Sequence, residues 1–87
     1  MADYAVYLKP AAERALKKIK DRAMQRRIAD AIDALAANPR PGGATALQGQ
    51  ESVLRIRVGD YRILYTVEGQ ALTVLVITIG HRREVYR

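Results

Sequence analysis

Apolar and polar residues alternate at the start of the chain and then recur with a helical period. In DYAVYL, at 3–8, Tyr4, Val6 and Leu8 fall on one side, which predicts a short first strand. Pro10 suits the first turn of a helix, because its missing N–H costs nothing there. The following AAERALKKIK is rich in helix formers. This part of the chain therefore predicts a strand followed by a helix.

A second helix is predicted from an Asp21 cap to about Ala37, where Asn38 and Pro39 end it. Its apolar positions recur at helical spacing and are Met24, Ile28, Ala31, Ile32 and Leu35. Because only a short turn separates the two helices, residues 10–37 should form a helical hairpin. NPRPGG is typical of a loop, which leads through ATALQGQ into the strands.

The second half of the chain predicts a β-meander. Its strands are expected at 53–58, 61–67 and 71–79. Gly59 and Asp60 form the first connection, since glycine at the first central position fits a two-residue type II′ turn. The third strand follows a turn at 68–70 and is apolar on both faces, so it should be interior to the sheet. Gly80 is expected to break it, and EVY near the end could form a last short strand.

This order of elements predicts an α+β fold, β-α-α-β-β-β with an optional last strand. The helical hairpin should cover one face of a small, mainly antiparallel sheet and leave the other face open. Eighty-seven residues are enough for one modest core, so residues 1–87 are expected to form a single domain.

The two-residue loop fixes the register of the first hairpin, with Val58 opposite Tyr61 and Arg57 opposite Arg62. The face toward the helices is then Leu54, Ile56, Val58, Tyr61, Ile63 and Tyr65. The open face is Arg55, Arg57, Arg62, Leu64 and Thr66. Like charges directly opposite one another destabilise a sheet. An anion-binding face is therefore favoured over a solvated face on which the arginines simply splay apart.

The C-terminal GHRREVYR adds basic and aromatic residues to this picture. His81, Arg82 and Arg83 follow the third strand, and Val85 and Tyr86 are apolar enough to anchor the segment. An aromatic ring can stack on an unpaired base while guanidinium groups bind phosphate. Hairpin and tail together favour RNA over the simpler interpretation of a charged, solvated tail.

The formal net charge of +6 and the pI near 10.1 point toward a polyanion or an acidic protein partner. The absence of cysteine and the single histidine argue against a metal site, so neither a metal nor a cofactor is expected. No apolar run reaches the roughly 20 residues that span a bilayer, and the N-terminus lacks a signal-peptide pattern. A cytoplasmic protein without a membrane partner is expected.

The sequence has no Gly-rich phosphate loop, no serine–histidine–aspartate arrangement and no paired carboxylates. Arginines can, however, stabilise charge that develops on a phosphodiester. Attack by a ribose 2′-OH on its own phosphate requires alignment, charge stabilisation and proton transfer. Arginine is a poor general base because it stays protonated, so Tyr86 and His81 are the groups available for that step.

The segments RIRVGDYRILY and GHRREVY resemble the RelE toxins of the RelE/ParE superfamily. The resemblance covers essentially the whole chain, since YAVYLKPAAERALKKI and NPRPGGATALQGQ fall where that family has its first strand, first helix and the loop before the catalytic hairpin. It implies the toxin of a type II toxin–antitoxin system. Such a toxin is an endoribonuclease that cleaves mRNA in the ribosomal A site by metal-independent 2′-OH attack and so inhibits translation. An acidic, RelB-like antitoxin would hold it in a hetero-oligomer.

The resemblance also implies catalytic roles. Arg62 corresponds to the group that stabilises the transition state, and Arg82 to one that contacts the leaving group or a phosphate. Tyr86 corresponds to a residue that stacks on and orients the reacting nucleotide. Arg55 and Arg57 stand where the best-known members have lysines. This is a departure from the family pattern, because lysine can lose a proton and arginine cannot.

Further basic residues are expected to bind RNA, namely His81, Arg83, Lys17 and Lys18. Among them His81 falls where the family often has a lysine, and it could compensate for the arginines in proton transfer.

Two alternatives remain at this point. ParE toxins share the fold, inhibit DNA gyrase and need no ribonuclease residues, although Arg62, Arg82 and Tyr86 favour RelE. A non-catalytic RNA- or protein-binding module would use the basic residues of the helices, but a charged outer face is normal for amphipathic helices.

Overall fold

The structure, a computed structural model, describes residues 3–47 and 49–81, with the backbone alone for residues 50 and 51. In this part of the chain two helices pack on one face of a five-stranded sheet. The helices are α1, Pro10–Lys18, and α2, Arg22–Ala34. The strands are β1, Ala5–Leu8; β2, Thr45–Leu47; β3, Gln50–Val58; β4, Tyr61–Glu68; and β5, Thr73–His81. The predicted α+β fold is confirmed.

The strands lie in the order β1-β5-β4-β3-β2. β1 pairs with β5 in parallel, and the other neighbours are antiparallel, so the sheet is mainly antiparallel as predicted. β5 lies between β1 and β4, which agrees with its apolar residues on both faces. Backbone bonds fasten both ends of β1 beside β5, since Ala5 N donates at 2.8 Å to the carbonyl of Leu72, just before β5, and Lys9 N donates to the Val76 carbonyl at 2.9 Å.

Local chemistry at the helix ends explains where the helices begin. Pro10 occupies the first turn of α1. The Asp21 carboxylate caps α2, as predicted, by accepting from Ala23 N at 3.0 Å and from Met24 N at 3.2 Å. The Gln25 side-chain amide donates to the Leu16 carbonyl at 2.9 Å and thereby ties the start of α2 to α1. No helix in the described part of the chain is long and apolar enough to cross a membrane.

The core lies between the helices and the sheet. The predicted apolar face of α2 points into it, with Ile28, Ile32 and Leu35 buried and Met24 and Ala31 half-buried. From the sheet it receives Ile56, Val58, Ile63, Tyr65, Val74, Val76 and Ile79. The Tyr65 hydroxyl lies within this core and donates to the Pro39 carbonyl at 2.8 Å, which fastens the loop after α2 to the middle of the sheet.

The structure corrects several predicted boundaries. ATALQGQ was expected as a connection, yet Thr45–Leu47 forms β2 and pairs with β3, which begins at Gln50. α2 ends at Ala34 rather than near Ala37, and the chain continues as a turn. The turn after β4 extends to Leu72, with φ of 48°, so β5 begins later than expected. The possible strand at EVY lies outside the described residues.

Candidate functional site

The hairpin of β3 and β4 has the predicted turn and register. Gly59 adopts φ of 58°, which the first central position of a type II′ turn requires. Val58 pairs with Tyr61 and Arg57 with Arg62, and the pairing continues in step through Leu54 and Tyr65. The interpretation of Arg57 and Arg62 as a directly opposed pair is therefore confirmed.

Three arginines share the sheet face away from the helices, and they differ in exposure. We call Arg55, Arg57 and Arg62 the arginine face. Arg57 is exposed and Arg55 is half-buried, whereas Arg62 is only 5 % exposed. Arg62 has contacts of its own in the fold, as a guanidinium at this depth requires. The arginine face thus contains a buried cation, Arg62, that the fold holds in place and an exposed cation, Arg57, that solvent can reach.

Gly80 lies beside Arg62 and is part of β5, so the expected break at Gly80 is wrong. Across the sheet, Arg57, Arg62 and Gly80 form one row. Because glycine has no side chain, the β5 residue directly opposite Arg62 adds no side chain to this row. A β-bulge produces this arrangement: Leu64 pairs with Thr78 and Tyr65 with Val76, which leaves Ile77 as an extra residue that reverses the alternation of β5.

The same bulge places His81 on the helix side of the sheet. His81 pairs with Tyr61, and their rings lie 5.5 Å apart at 81°. Tyr61 packs against the core, whereas Arg62, the next residue, lies on the arginine face. The structure therefore does not bring His81 together with the arginines of the hairpin. The hypothesis that His81 compensates for a missing lysine beside them receives no support from this geometry.

The remaining predicted site residues fall into two groups. Lys17 and Lys18 are exposed on α1, where Lys17 Nζ pairs with the Glu13 carboxylate at 3.2 Å. Lys18 lines a groove that also contains His81. Arg82, Arg83 and Tyr86 lie outside the described residues, and their roles stay predictions.

Sequence reasoning missed two grooves. One, of about 550 Å³, lies between α2 and β3, is lined by apolar residues such as Leu35 and Ile56, and has Arg57 among its lining residues. The other, of about 360 Å³, lies between α1 and the ends of β4 and β5 and contains Arg14 and Tyr61. Both form only when a helix packs on the sheet, so no local pattern in the sequence could have revealed them.

The family match of this chain assigns it to the class of small toxins of type II toxin–antitoxin systems. A family model described as the ParE toxin of the type II toxin–antitoxin system parDE matches residues 6–86. The chain belongs to this family, which lies within the RelE/ParE superfamily, so the resemblance to that superfamily is confirmed.

Known relatives agree with this assignment. The chain is 27% identical over 84 residues to Toxin RelG of Mycobacterium tuberculosis, covering 97% of each protein. It is 26% identical to a chain of the RelE–RelB complex from Pyrococcus horikoshii, with a TM-score of 0.79, covering 92% of this chain and 96% of that one. It is also 26% identical to a chain of the toxin–antitoxin complex RelBE2 of Mycobacterium tuberculosis, with a TM-score of 0.76 and 94% coverage of both.

Proposed function

We propose that this toxin is an endoribonuclease that enters the ribosomal A site, cleaves mRNA there and so stops translation in the cytoplasm. The observation that carries the proposal is the arginine face. Arg57 and Arg62 lie directly opposite one another, with Arg55 two residues from Arg57 on the same face. Opposed guanidinium groups are unfavourable in a sheet unless an anion lies between them, and a phosphodiester supplies that anion.

The proposed reaction is transesterification within the RNA. The ribose 2′-oxygen forms a bond to the adjoining phosphorus and the bond from phosphorus to the 5′-oxygen breaks, leaving a 2′,3′-cyclic phosphate and a 5′-hydroxyl. In this proposal Arg62 stabilises the charge that develops on the phosphate oxygens, and its burial strengthens that interaction. Arg55 and Arg57 hold the flanking phosphates, as guanidinium groups bind phosphate well.

Proton transfer is assigned to the tail. The arginines remain protonated, and His81 lies on the other side of the sheet, next to Tyr61. Tyr86 is therefore the candidate that orients the nucleotide and takes part in proton transfer, with Arg82 at the leaving oxygen. Both assignments come from the resemblance to RelE toxins, and no metal is required for the reaction in this form.

The proposed partner that restrains the toxin is an acidic antitoxin similar to RelB. Two structural neighbours at 26% identity, from Pyrococcus horikoshii and Mycobacterium tuberculosis, are toxin–antitoxin complexes. The net charge of +6 suits an acidic partner, because charge complementarity accelerates association. A gene for a short acidic protein is expected beside the toxin gene. Co-expression of that protein should restore growth, and the two proteins should copurify as a hetero-oligomer.

The test is induction of the toxin alone, followed by mapping of mRNA 5′ ends. Cleavage at fixed codon positions with 5′-hydroxyl ends is expected. Arg62→Ala and Tyr86→Ala should reduce cleavage by about 100-fold or more, as removal of a charge-stabilising group typically does. Arg22→Ala, an exposed arginine on α2, serves as the matched control and should cleave normally. Cuts with 5′-phosphate ends would contradict 2′-OH attack.

Inhibition of DNA gyrase is the second candidate, because the matching family model is that of ParE toxins. The same induction separates the two functions. If mRNA stays intact while gyrase supercoiling activity stops, the toxin acts as ParE toxins do and the ribonuclease proposal is wrong.

A further inference from the structure

The groove between α1 and the ends of β4 and β5 lies on the helix side of the sheet, away from the arginine face. We call it the α1 groove. Two cationic and two aromatic side chains are among its lining residues, namely Arg14, Lys18, Tyr61 and His81. Its volume of about 360 Å³ is close to the size of a small-molecule ligand site.

The described residues that line the α1 groove make it cationic. Arg14 and Lys18 lie four residues apart on α1, so their side chains extend from the same side of the helix. None of the described residues that line the groove is acidic. The acid of α1, Glu13, is paired with Lys17 instead. One i,i+4 pair of the helix is therefore neutralised, and the next pair along, Arg14 and Lys18, concentrates positive charge at the groove.

Aromatic rings and small residues complete the groove. The Tyr61 and His81 rings lie 5.5 Å apart and nearly perpendicular, which gives one wall a polarisable surface. Ala11, Ala15 and Gly80 add little side-chain volume to the lining, and Ile79 adds an apolar side chain. Cations beside aromatic rings are the combination that binds single-stranded nucleic acid, with phosphate on the cations and a base against the rings.

The α1 groove and the arginine face meet at one end of the sheet. Tyr61 and Arg62 are consecutive in β4 and lie on opposite faces, and the same holds for His81 and Gly80 in β5. A strand of RNA that passes around this end contacts the arginine face on one side of the sheet and the α1 groove on the other. The distance it must cover is the thickness of the sheet.

We propose that the α1 groove is a second RNA subsite, in which Arg14 and Lys18 bind two adjoining phosphates of a single strand and the rings of Tyr61 and His81 contact the base between them, next to the cleaved bond. The role of the α1 groove in positioning the substrate rests on the proposed ribonuclease function. The binding it predicts can nevertheless be measured without cleavage.

The experiment measures binding of a short single-stranded RNA to the purified full chain by fluorescence anisotropy. The probe carries 2′-O-methyl groups, so 2′-OH attack cannot occur. Arg14→Ala with Lys18→Ala should weaken binding by about tenfold, because two phosphate-binding cations are removed. His81→Ala should weaken it several-fold, whereas His81→Phe, which keeps an aromatic ring, should have a smaller effect.

A matched control comes from α2. Arg22 and Arg26 are also four residues apart and exposed, but the groove that they line contains Asp30. Arg22→Ala with Arg26→Ala removes the same charge and should change RNA affinity by less than about twofold, since no aromatic ring is among the described residues that line this groove and a base has nothing to stack on there. Thermal unfolding of each variant verifies that it folds.

Three results would overturn the inference. Equal loss of affinity in the two double variants would mean that only net charge matters, and unchanged affinity in the α1 variant would mean that RNA does not use the groove. If RNA binding is retained but binding of a poly-glutamate peptide is lost, the groove binds an acidic protein segment. Intact mRNA in cells, together with RNA binding that depends on Arg14 and Lys18, would contradict the ribonuclease proposal and support the α1 groove.

Discussion

The two opposed arginines of the hairpin occupy different environments, so they are expected to contribute differently to stability and to function. Arg62 lies in the middle strand between Arg57 and Gly80 and is 5 % exposed, whereas Arg57 is exposed on β3. Removal of Arg62 takes away a buried group together with its contacts. Removal of Arg57 takes away mainly the repulsion and the proposed phosphate contact, so Arg57 is the residue at which stability and function should separate.

Arg57→Thr should therefore stabilise the toxin while weakening its activity. Relief of a like-charge pair directly across two strands is expected to raise the free energy of unfolding by roughly 0.2–1 kcal/mol, and threonine suits a strand. Urea unfolding measures the gain, and mRNA cleavage after induction measures the loss. Arg55→Thr is the control, because Arg55 lies opposite Leu64 rather than another arginine and should bring no gain. A destabilised Arg57→Thr protein would show that the pair is not repulsive.

Tyr65 is a residue whose polar atom matters for stability rather than for the site. Its side chain is fully buried, and its hydroxyl donates to the Pro39 carbonyl at 2.8 Å. Burial raises the pKa of the Tyr65 phenol above its ordinary value of 10.0, and the positive charge of Arg40 lowers it in part. The phenol therefore ionises at lower pH in the unfolded chain than in the folded one, and its contribution is lost as pH rises from the unfolded pKa through the folded pKa.

Tyr65→Phe should reduce the free energy of unfolding by about 1 kcal/mol at neutral pH, because one buried hydrogen bond is lost and the Pro39 carbonyl is left unsatisfied. The difference between wild type and Tyr65→Phe should shrink above pH 10, where the unfolded wild-type chain ionises Tyr65 and the variant cannot. Urea unfolding at pH 7 and above pH 10 measures both effects. A difference that stays constant or grows with pH would refute this assignment.

At the scale of elements, the β3–β4 hairpin was predictable and the end of β5 was not. A two-residue loop that begins with glycine fixes the register of a hairpin. The residue pairs of β3 and β4, starting with Val58 and Tyr61 beside the turn, therefore followed from the sequence. β5 has apolar residues on both faces, so its alternation gives no sign of the bulge at Ile77. That bulge decides the sides on which Gly80 and His81 lie.

The other missed elements have a similar origin. Thr45–Leu47 is a three-residue edge strand, too short for a pattern, and it forms because β3 offers a free edge to pair with. By contrast, the Asp21 cap and the apolar face of α2 depend on residues within one helix, and both were predicted. Local chemistry was readable from the sequence. Features that depend on a neighbouring strand or helix were not, and both grooves belong to that second kind.

Gly59→Ala tests the turn on which the arginine pair depends. An L-residue at φ of 58° is unfavourable, and the added Cβ would lie 2.6 Å from Met24 Cε. We expect a loss of roughly 1–2 kcal/mol in the free energy of unfolding. Gly59→Asn should lose less, because asparagine tolerates this conformation better. Gly69→Ala is the control, since no atom lies within 4 Å of its added Cβ and its φ is not positive. Equal losses at both glycines would rule out a special role for the Gly59 backbone.

At the scale of the whole molecule, the net charge of +6 is distributed over both sides of the sheet. The arginine face lies on one side, and Arg14 and Lys18 of the α1 groove lie on the other. The two sides meet where β4 begins and β5 ends. A toxin built in this way presents basic side chains around an edge rather than on one flat patch, so it should bind a flexible single strand better than a rigid duplex.

The dependence of RNA affinity on salt concentration measures how many phosphates the whole molecule neutralises. Each phosphate neutralised on a single strand contributes about −0.7 to the slope of log K against log salt. If Arg55, Arg57, Arg14 and Lys18 each bind one phosphate, the slope for a strand long enough to reach both sides should be roughly −3. Arg57→Ala should bring the slope closer to zero by about 0.7, and the double substitution of Arg14 and Lys18 by about twice that amount.

Two controls make this measurement decisive. Arg22→Ala with Arg26→Ala should leave the slope unchanged, because the described residues of their groove include no aromatic ring that would hold a base there. A strand of three nucleotides carries only two phosphodiester groups, so it should give a slope about half as steep. With this strand the effects of Arg57→Ala and of the α1 variant on the slope should no longer add. If short and long strands give the same slope, RNA uses only one side of the sheet. The variant that still changes that slope would then identify the side.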